Sequence, residues 1–379
     1  MSYVPVPATR HIMKNRAIII VTVFAAAIAA YLIIKSRQHL PDDKPPIGVI
    51  APLTGEGASY GQAMKRGFDL AFKGSGVRLI YEDTMMDAKT AVTSATKLIN
   101  SDHVTIILGE AASGVTMAVA PVAESNKVIL FSSISSTDKL RYAGDFIFRN
   151  VPRNEIQGVT AANFIHSTLG SKKIALVADN DEYGANLSKS FKTRIKEIGG
   201  DIVTDEAYQK NIKDFRGIVE KIKTTGADVV FNPGNYEQTA LLLKQLREAG
   251  LQIPLVGGDG SYSPELIKQA GAAAEGTYCT LMAADKKTSF YMKFFEAFKS
   301  EYGKDPDVYD AYAFEAASII REAIEKKGIT ASVVRDYLYA TTFDSLTGPL
   351  KFDSEGEVIR DYGIVQVRNA EFHDNPEKK

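Results

Sequence analysis

Residues 104–116 read V-T-I-I-L-G-E-A-A-S-G-V-T, and residues 128–140 read V-I-L-F-S-S-I-S-S-T-D-K-L. Both begin in short, almost wholly apolar runs, at 104–108 and 128–131, as central strands of a parallel sheet do when helices cover both faces. Each run stops in small hydroxyl residues. Ligands of open α/β sheets sit at the carboxyl ends of the strands, so the turn at Ser113 and the cluster from Ser132 to Ser136 fall side by side on one rim. Hydroxyls, together with the free N–H groups of a helix beginning near Ser113, suit a carboxylate with no Lys or Arg required. The same residues also admit a purely structural reading, with Ser113 as an N-cap and the serines as a turn.

Outward from this centre the chain repeats strand, turn and helix. Strands are expected at 47–51 and 77–81 before it, and right-handed crossovers make these one parallel sheet with 104–108 and 128–131. Asp87 can cap the helix whose Ala91, Ala95, Leu98 and Ile99 share one face. A second series follows at 174–178, 202–204, 229–231 and 255–256. Its helices place Phe215, Ile218, Val219 and Ile222, then Leu242, Leu243 and Leu246, inward, and Ser263-Pro264 opens another. The stretch 289–340 reads as helical with Phe290, Phe294, Phe298 and Tyr302 along one face, which is core patterning. Residues 348–356 and 362–367 read as a hairpin-like pair of strands.

The chain has 379 residues, more than one compact core holds, so two lobes are expected. The first 45 residues stand apart. Residues 17–34 are uncharged and apolar, preceded by Arg10, Lys14 and Arg16, which fits a signal peptide or a minimal membrane-spanning helix. The run continues past the small-residue site at Ala27-Ile28-Ala29, which favours an uncleaved anchor holding an extracytoplasmic body to the inner membrane, and Met13 offers an alternative start. The prolines of residues 41–46 mark a spacer. Cys279 is the only cysteine, so there is no lipid-bearing amino-terminal cysteine and no internal disulfide. Beyond the leader, 39 basic residues stand against 44 acidic ones, a net of −5 with no basic stripe, which argues against nucleic acid.

Four stretches then carry a family resemblance: Pro52-Leu53-Thr54-Gly55 with Ser59-Tyr60-Gly61; Phe148-Arg149-Asn150-Val151-Pro152-Arg153-Asn154 with Gln157-Gly158; Gly257-Gly258-Asp259-Gly260 with Ser263-Pro264; and residues 347–356. In this order over some 330 residues, the chain resembles the periplasmic solute-binding proteins of the leucine/isoleucine/valine-binding type, receptors of ABC importers. The resemblance implies two doubly wound parallel-sheet lobes joined by three crossing segments, with residues 46–152 and 281–355 in the first and 153–280 and 356–379 in the second. It implies no cofactor, no catalysis, a small amino acid or related solute as ligand, and an ABC permease as partner. Carried over residue by residue, Ser113 and Ser136 would hold the ligand carboxylate, with the backbone near Ile134 in contact. Tyr60 and Tyr183 would line the pocket, Asp259 would face the α-ammonium group, and Asn235 and Tyr236 are neighbours between which the alignment can slip. Three departures stand out: Asp259 is shorter than the Glu of branched-chain binders, Ser136 replaces a more usual Thr, and Glu110 puts a carboxylate near the anion site.

Other chemistries fit less well. Gly57-Ala58-Ser59-Tyr60-Gly61 matches G-x-S-x-G, with His373 downstream, but the strand ends near Leu53, too early for a sharp nucleophile elbow. Gly55, Gly57 and Gly61 followed by Asp83 imitate a dinucleotide fingerprint with the last glycine one residue late. Five scattered histidines and one cysteine make no metal set. A membrane-tethered ligand sensor built on the same lobes is the remaining alternative to transport.

Overall fold

The structure is a computed structural model and describes residues 46–374, Ala283 excepted. The apolar run at 17–34 lies outside the described residues. Among the described residues no helix is long and apolar enough to cross a membrane.

The first series runs β1 (Ile47–Ala51), α1 (Ala58–Phe72), β2 (Leu79–Asp83), α2 (Ala88–Asn100), β3 (Ile106–Leu108), α3 (Ser113–Ser125), β4 (Ile129–Ser132) and β5 (Ile147–Arg149). These strands form one sheet in the order β2-β1-β3-β4-β5, every pairing parallel. The central strands β1, β3 and β4 are buried throughout, which is why they read as unbroken apolar runs. The edge strand β2 starts two residues later than expected, because its register follows Ile47 opposite Leu79. Helix α2 shows how the covering layer is specified: the Asp87 carboxylate accepts from the N–H of Thr90 at 2.8 Å, and Ala91, Ala95 and Leu98 are fully buried beneath it.

The second series comprises α4 (Asn154–Asn163), β6 (Lys173–Asp179), α5 (Glu182–Glu197), β7 (Asp201–Tyr208), α6 (Arg216–Thr225), β8 (Val229–Asn232), α7 (Tyr236–Glu248), β9 (Leu255–Gly257), α8 (Pro264–Ala270) and β10 (Tyr278–Leu281). Three helices follow, α9 (Ser289–Tyr302), α10 (Val308–Lys327) and α11 (Ala331–Ala340), then β11 (Thr342–Phe343), β12 (Leu350–Lys351), β13 (Gly363–Arg368) and β14 (Glu371–Asp374). The second sheet has the order β14-β13-β10-β9-β8-β6-β7. It is parallel from β7 to β10, and β13 and β14 add antiparallel at one edge. Helix α9 buries Phe294 and Phe298 completely. Burial of that kind contributes about 1.5–3 kcal/mol per side chain.

The tail differs from the expected hairpin. Residues 350–351 pair with Thr342–Phe343, while Gly363–Arg368 pairs with β10 and turns back into β14. The true turn is Asn369-Ala370, both left-handed at φ 54° and 60°, as a two-residue hairpin loop of twisted strands requires.

Segments passing between the two sheets are bound to one another by buried polar contacts. Arg360 donates to both carboxylate oxygens of Glu315 at 2.7 and 2.8 Å and to the carbonyl of Asn150 at 2.7 Å. Asn150 Nδ2 donates to the same Glu315 at 2.7 Å, Tyr362 donates to the carbonyl of Pro152 at 2.9 Å, and Arg149 pairs with Glu357. Paired in this way, the charges are buried without being left alone.

Candidate functional site

Between the sheets, at the carboxyl ends of the parallel strands, lies a small cavity lined by residues of both series. One wall comes from the first sheet. After β3 the chain turns so that Glu110 is fully buried, its carboxylate accepting from Thr84 Oγ1 at 2.6 Å and from the N–H of Ala112 at 2.6 Å. Burial pushes this carboxyl up to about 7. Glu110 therefore meets a hydroxyl and an amide, neither of them a cation, and its environment favours the neutral form that does not repel an anion.

The serine cluster divides by task. Ser132 Oγ donates to the Glu110 carbonyl at 2.7 Å, and Ser135 Oγ donates to the carbonyls of Glu110 and Ala111, both at 3.1 Å. These two clamp one loop to the next. Ser113 and Ser136 line the cavity, are almost fully buried, and have no side-chain hydrogen bond among the described residues. The N-cap position of α3 is Ala112, without a side-chain cap, so Ser113 is the first helical residue and its hydroxyl is not spent on the helix. Two hydroxyls and a helix start face the same space, with Ile134 beside them.

The other wall comes from the second sheet. Asp181 caps α5, accepting from the N–H of Gly184 at 2.8 Å, and so directs Tyr183 inward. Tyr183 donates its hydroxyl to Asp259 Oδ1 at 2.8 Å, the N–H of Gly260 donates to the same oxygen at 3.0 Å, and Tyr309 donates to the Asp259 carbonyl at 2.6 Å. Gly258 makes this possible, since a Cβ there would stand 2.1 Å from the Tyr183 hydroxyl. Asp259 is 7% exposed and has no ion-pair partner among the described residues, and burial pushes its carboxyl above the ordinary range. A buried carboxylate with hydrogen-bond donors but no cation favours a cationic ligand group.

The walls meet around the cavity. Tyr60 donates its hydroxyl to the Gly260 carbonyl. The N–H of Gly57 donates to Glu237 at 3.0 Å, Ser59 and Ser263 share a hydrogen bond at 3.0 Å, and Thr137 donates to Glu182 at 2.9 Å. Lys210 Nζ donates to the Met86 carbonyl at 3.2 Å. The cleft is closed in this structure.

Of the expected residues, Tyr60, Ser113, Ile134, Ser136, Tyr183, Asn235 and Asp259 line the cavity. Tyr236 does not. Its ring packs edge-on against Tyr60 with centroids 5.2 Å apart, and it opens on an outer groove. The reason is local: Asn235 is the extended N-cap of α7 and Tyr236 its first helical residue, so the two side chains leave the backbone in different directions. Met86, Ala111, Ala112, Asp181, Gly260 and Tyr309 complete the lining without having been expected. Asp181 had a signal, an acidic residue two places before Tyr183, but it is the ordinary signal of a helix cap.

The competing motifs have structural uses. Ser59 is bonded to Ser263 and to no base, while Asp83 accepts from the N–H groups of Leu53 at 2.9 Å and Met85 at 3.0 Å, holding the loop after β1. Among the described residues no group of His, Cys, Asp and Glu is arranged to hold a metal ion.

Residues 44–371 match the family described as periplasmic binding protein. A leucine-, isoleucine-, valine-, threonine- and alanine-binding protein of Pseudomonas aeruginosa is 29% identical over 346 residues, covering 88% of this chain and 91% of that one. A leucine-binding protein of Thermotoga maritima superposes with a TM-score of 0.82 at 28% identity, over 88% of this chain and 99% of that one. A solute-binding protein of an ABC transporter from R. palustris, solved with benzoate, has the same fold at a TM-score of 0.80 and 21% identity, over 87% of this chain and 95% of that one.

Proposed function

The chain belongs to the periplasmic binding protein family, and from that premise we propose that it captures a small α-amino acid between its two lobes and delivers it to an ABC permease. The observation that carries the reading is the polarity of the cavity. Free hydroxyls at Ser113 and Ser136 and a helix start stand on one side, and the buried, cation-free Asp259 stands on the other. An α-amino acid presents a carboxylate to the first and an ammonium to the second. The Ile134 backbone, Tyr60, Tyr183 and Asn235 would then enclose it, with Tyr236 acting through Tyr60. The names of the Pseudomonas aeruginosa and Thermotoga maritima relatives, both amino-acid-binding proteins, support the same ligand class.

The family implies an extracytoplasmic location. Within that frame the moving bodies are residues 46–152 with 281–355, and 153–280 with 356–379. Residues 17–34 would hold the protein at the membrane. Mass spectrometry of the amino terminus tests the tether, and a mature chain starting near residue 30 would remove it. Ligand class is tested by a thermal-shift screen of amino acids, amides and aromatic acids. A ligand at 100 times its Kd adds about 2.7 kcal/mol of stability. A shift with an α-amino acid is expected, and a shift with aromatic acids alone would contradict the reading.

A further inference from the structure

If the α-carboxylate and α-ammonium groups occupy Ser113, Ser136 and Asp259, the side chain of the ligand faces the walls they leave over. Tyr60, Met86, Ala111, Asp181 and Asn235 are among the lining residues that remain. An aliphatic side chain would be matched by apolar atoms there, yet the remaining lining includes the amide of Asn235 and the carboxylate of Asp181.

The surroundings make this end acidic. Behind Asn235, whose Nδ2 donates at 3.3 Å to Asp179 Oδ2, Asp179 is 1% exposed, and its Oδ1 accepts no hydrogen bond among the described residues. Buried acceptors are nearly always satisfied, so such an oxygen marks a place for a donor. Asp181 uses Oδ1 to cap Gly184. Burial and then the neighbouring Asp181 and Glu56 push the Asp179 carboxyl up to about 7. The one lysine nearby, Lys210, is engaged by the Met86 carbonyl at 3.2 Å and by Glu56 at 3.6 Å. Three carboxylates thus stand against one committed cation.

We propose that this end of the cavity is a side-chain subsite for a nitrogen that carries hydrogen-bond donors, an amide or a short amine, with Asp181 as the residue that selects it and Asp179 behind it. The inference rests on the amino-acid reading above. A capping role for Asp181 does not by itself explain why a carboxylate lines a ligand cavity, and the two roles separate experimentally, because Asn also caps helices well.

The test is calorimetry on the full chain with leucine, asparagine and 2,4-diaminobutyrate, before and after Asp181→Asn. The expected result is that one of the two nitrogen-bearing ligands binds at least tenfold tighter than leucine, and that the substitution lowers that ratio at least tenfold. Leucine binding tightest, with a ratio unmoved by the substitution, would overturn the subsite and leave the amino-acid reading standing. Binding of no α-amino acid at all would overturn both. The ligand series on the unaltered chain decides the first point even if the variant does not fold.

Discussion

Each wall of the cavity carries a buried carboxylate, and the two are handled in opposite ways. Glu110, from the first sheet, is sealed behind the wall and held by Thr84 and the Ala112 amide. Asp259, from the second, is held by Tyr183 and the Gly260 amide and faces the cavity. Burial raises both carboxyls, so desolvation alone does not distinguish them. What differs is access. A sealed carboxyl can stay neutral at no cost to binding, whereas one that faces the ligand can exchange its lost hydration for a cation. The first wall therefore acts through hydroxyls and amides with little net charge, and the second through carboxylates that face the cavity.

The largest expected effect breaks the contact between the walls. Tyr60 is 3% exposed, its hydroxyl reaches Gly260, and its ring packs against Tyr236 and Tyr309. Tyr60→Ala should cost about 3–5 kcal/mol, the range for removing a buried aromatic, read as a fall in the urea midpoint and in ligand affinity. Loss of affinity with unchanged stability would mean that the ring serves the ligand and not the closed arrangement.

A second variant isolates the sealed carboxyl. Because the folded-state value of Glu110 is raised to about 7, its contribution is fully present below the ordinary carboxylate range and is lost as pH rises through about 7. That loss is roughly 3 kcal/mol. Glu110→Gln keeps an acceptor for the Ala112 amide and should remove this slope, making the variant more stable than the parent at pH 8 and not at pH 4. Denaturation at the two pH values checks it, and parallel pH profiles for both proteins would contradict the assignment.

The smallest effect belongs to the wall with several donors. Ser113→Ala removes one hydroxyl while the amides at the start of α3 remain, so binding should weaken by about 1–3 kcal/mol, measured by calorimetry. A loss confined to ligands that carry a carboxylate would sharpen the comparison. Equal loss for ligands without one would remove Ser113 from the anion site.

The same contrast explains what the sequence could show. Strands β3 and β4 and the serines that end them were legible because their signals are local: apolar runs of strand length, closed by small hydroxyl residues. Which serines clamp the loops and which face the ligand was not legible, since Ser132, Ser135 and Ser136 differ only in where the turn points them. Asp259 was reached through resemblance alone, because topology, not spacing, brings it opposite Ser113. Met86 and Tyr309 come from a loop and a helix far apart in the chain and carried no mark of a site. The tail departs from the expected hairpin because β11 has only two residues, too few to show a period, and because β13 takes β10, distant in the chain, as its partner.

The central claim is that Asp259 meets the ammonium group of an α-amino acid across the cleft. Calorimetry of the parent chain and Asp259→Asn, each with an amino acid and with the corresponding acid that lacks the amino group, tests it directly. The contact predicts a loss of roughly 2–5 kcal/mol for the amino acid, the range for truncating one partner of a buried charge pair, and a much smaller change for the des-amino acid. Equal losses for both ligands would contradict the claim.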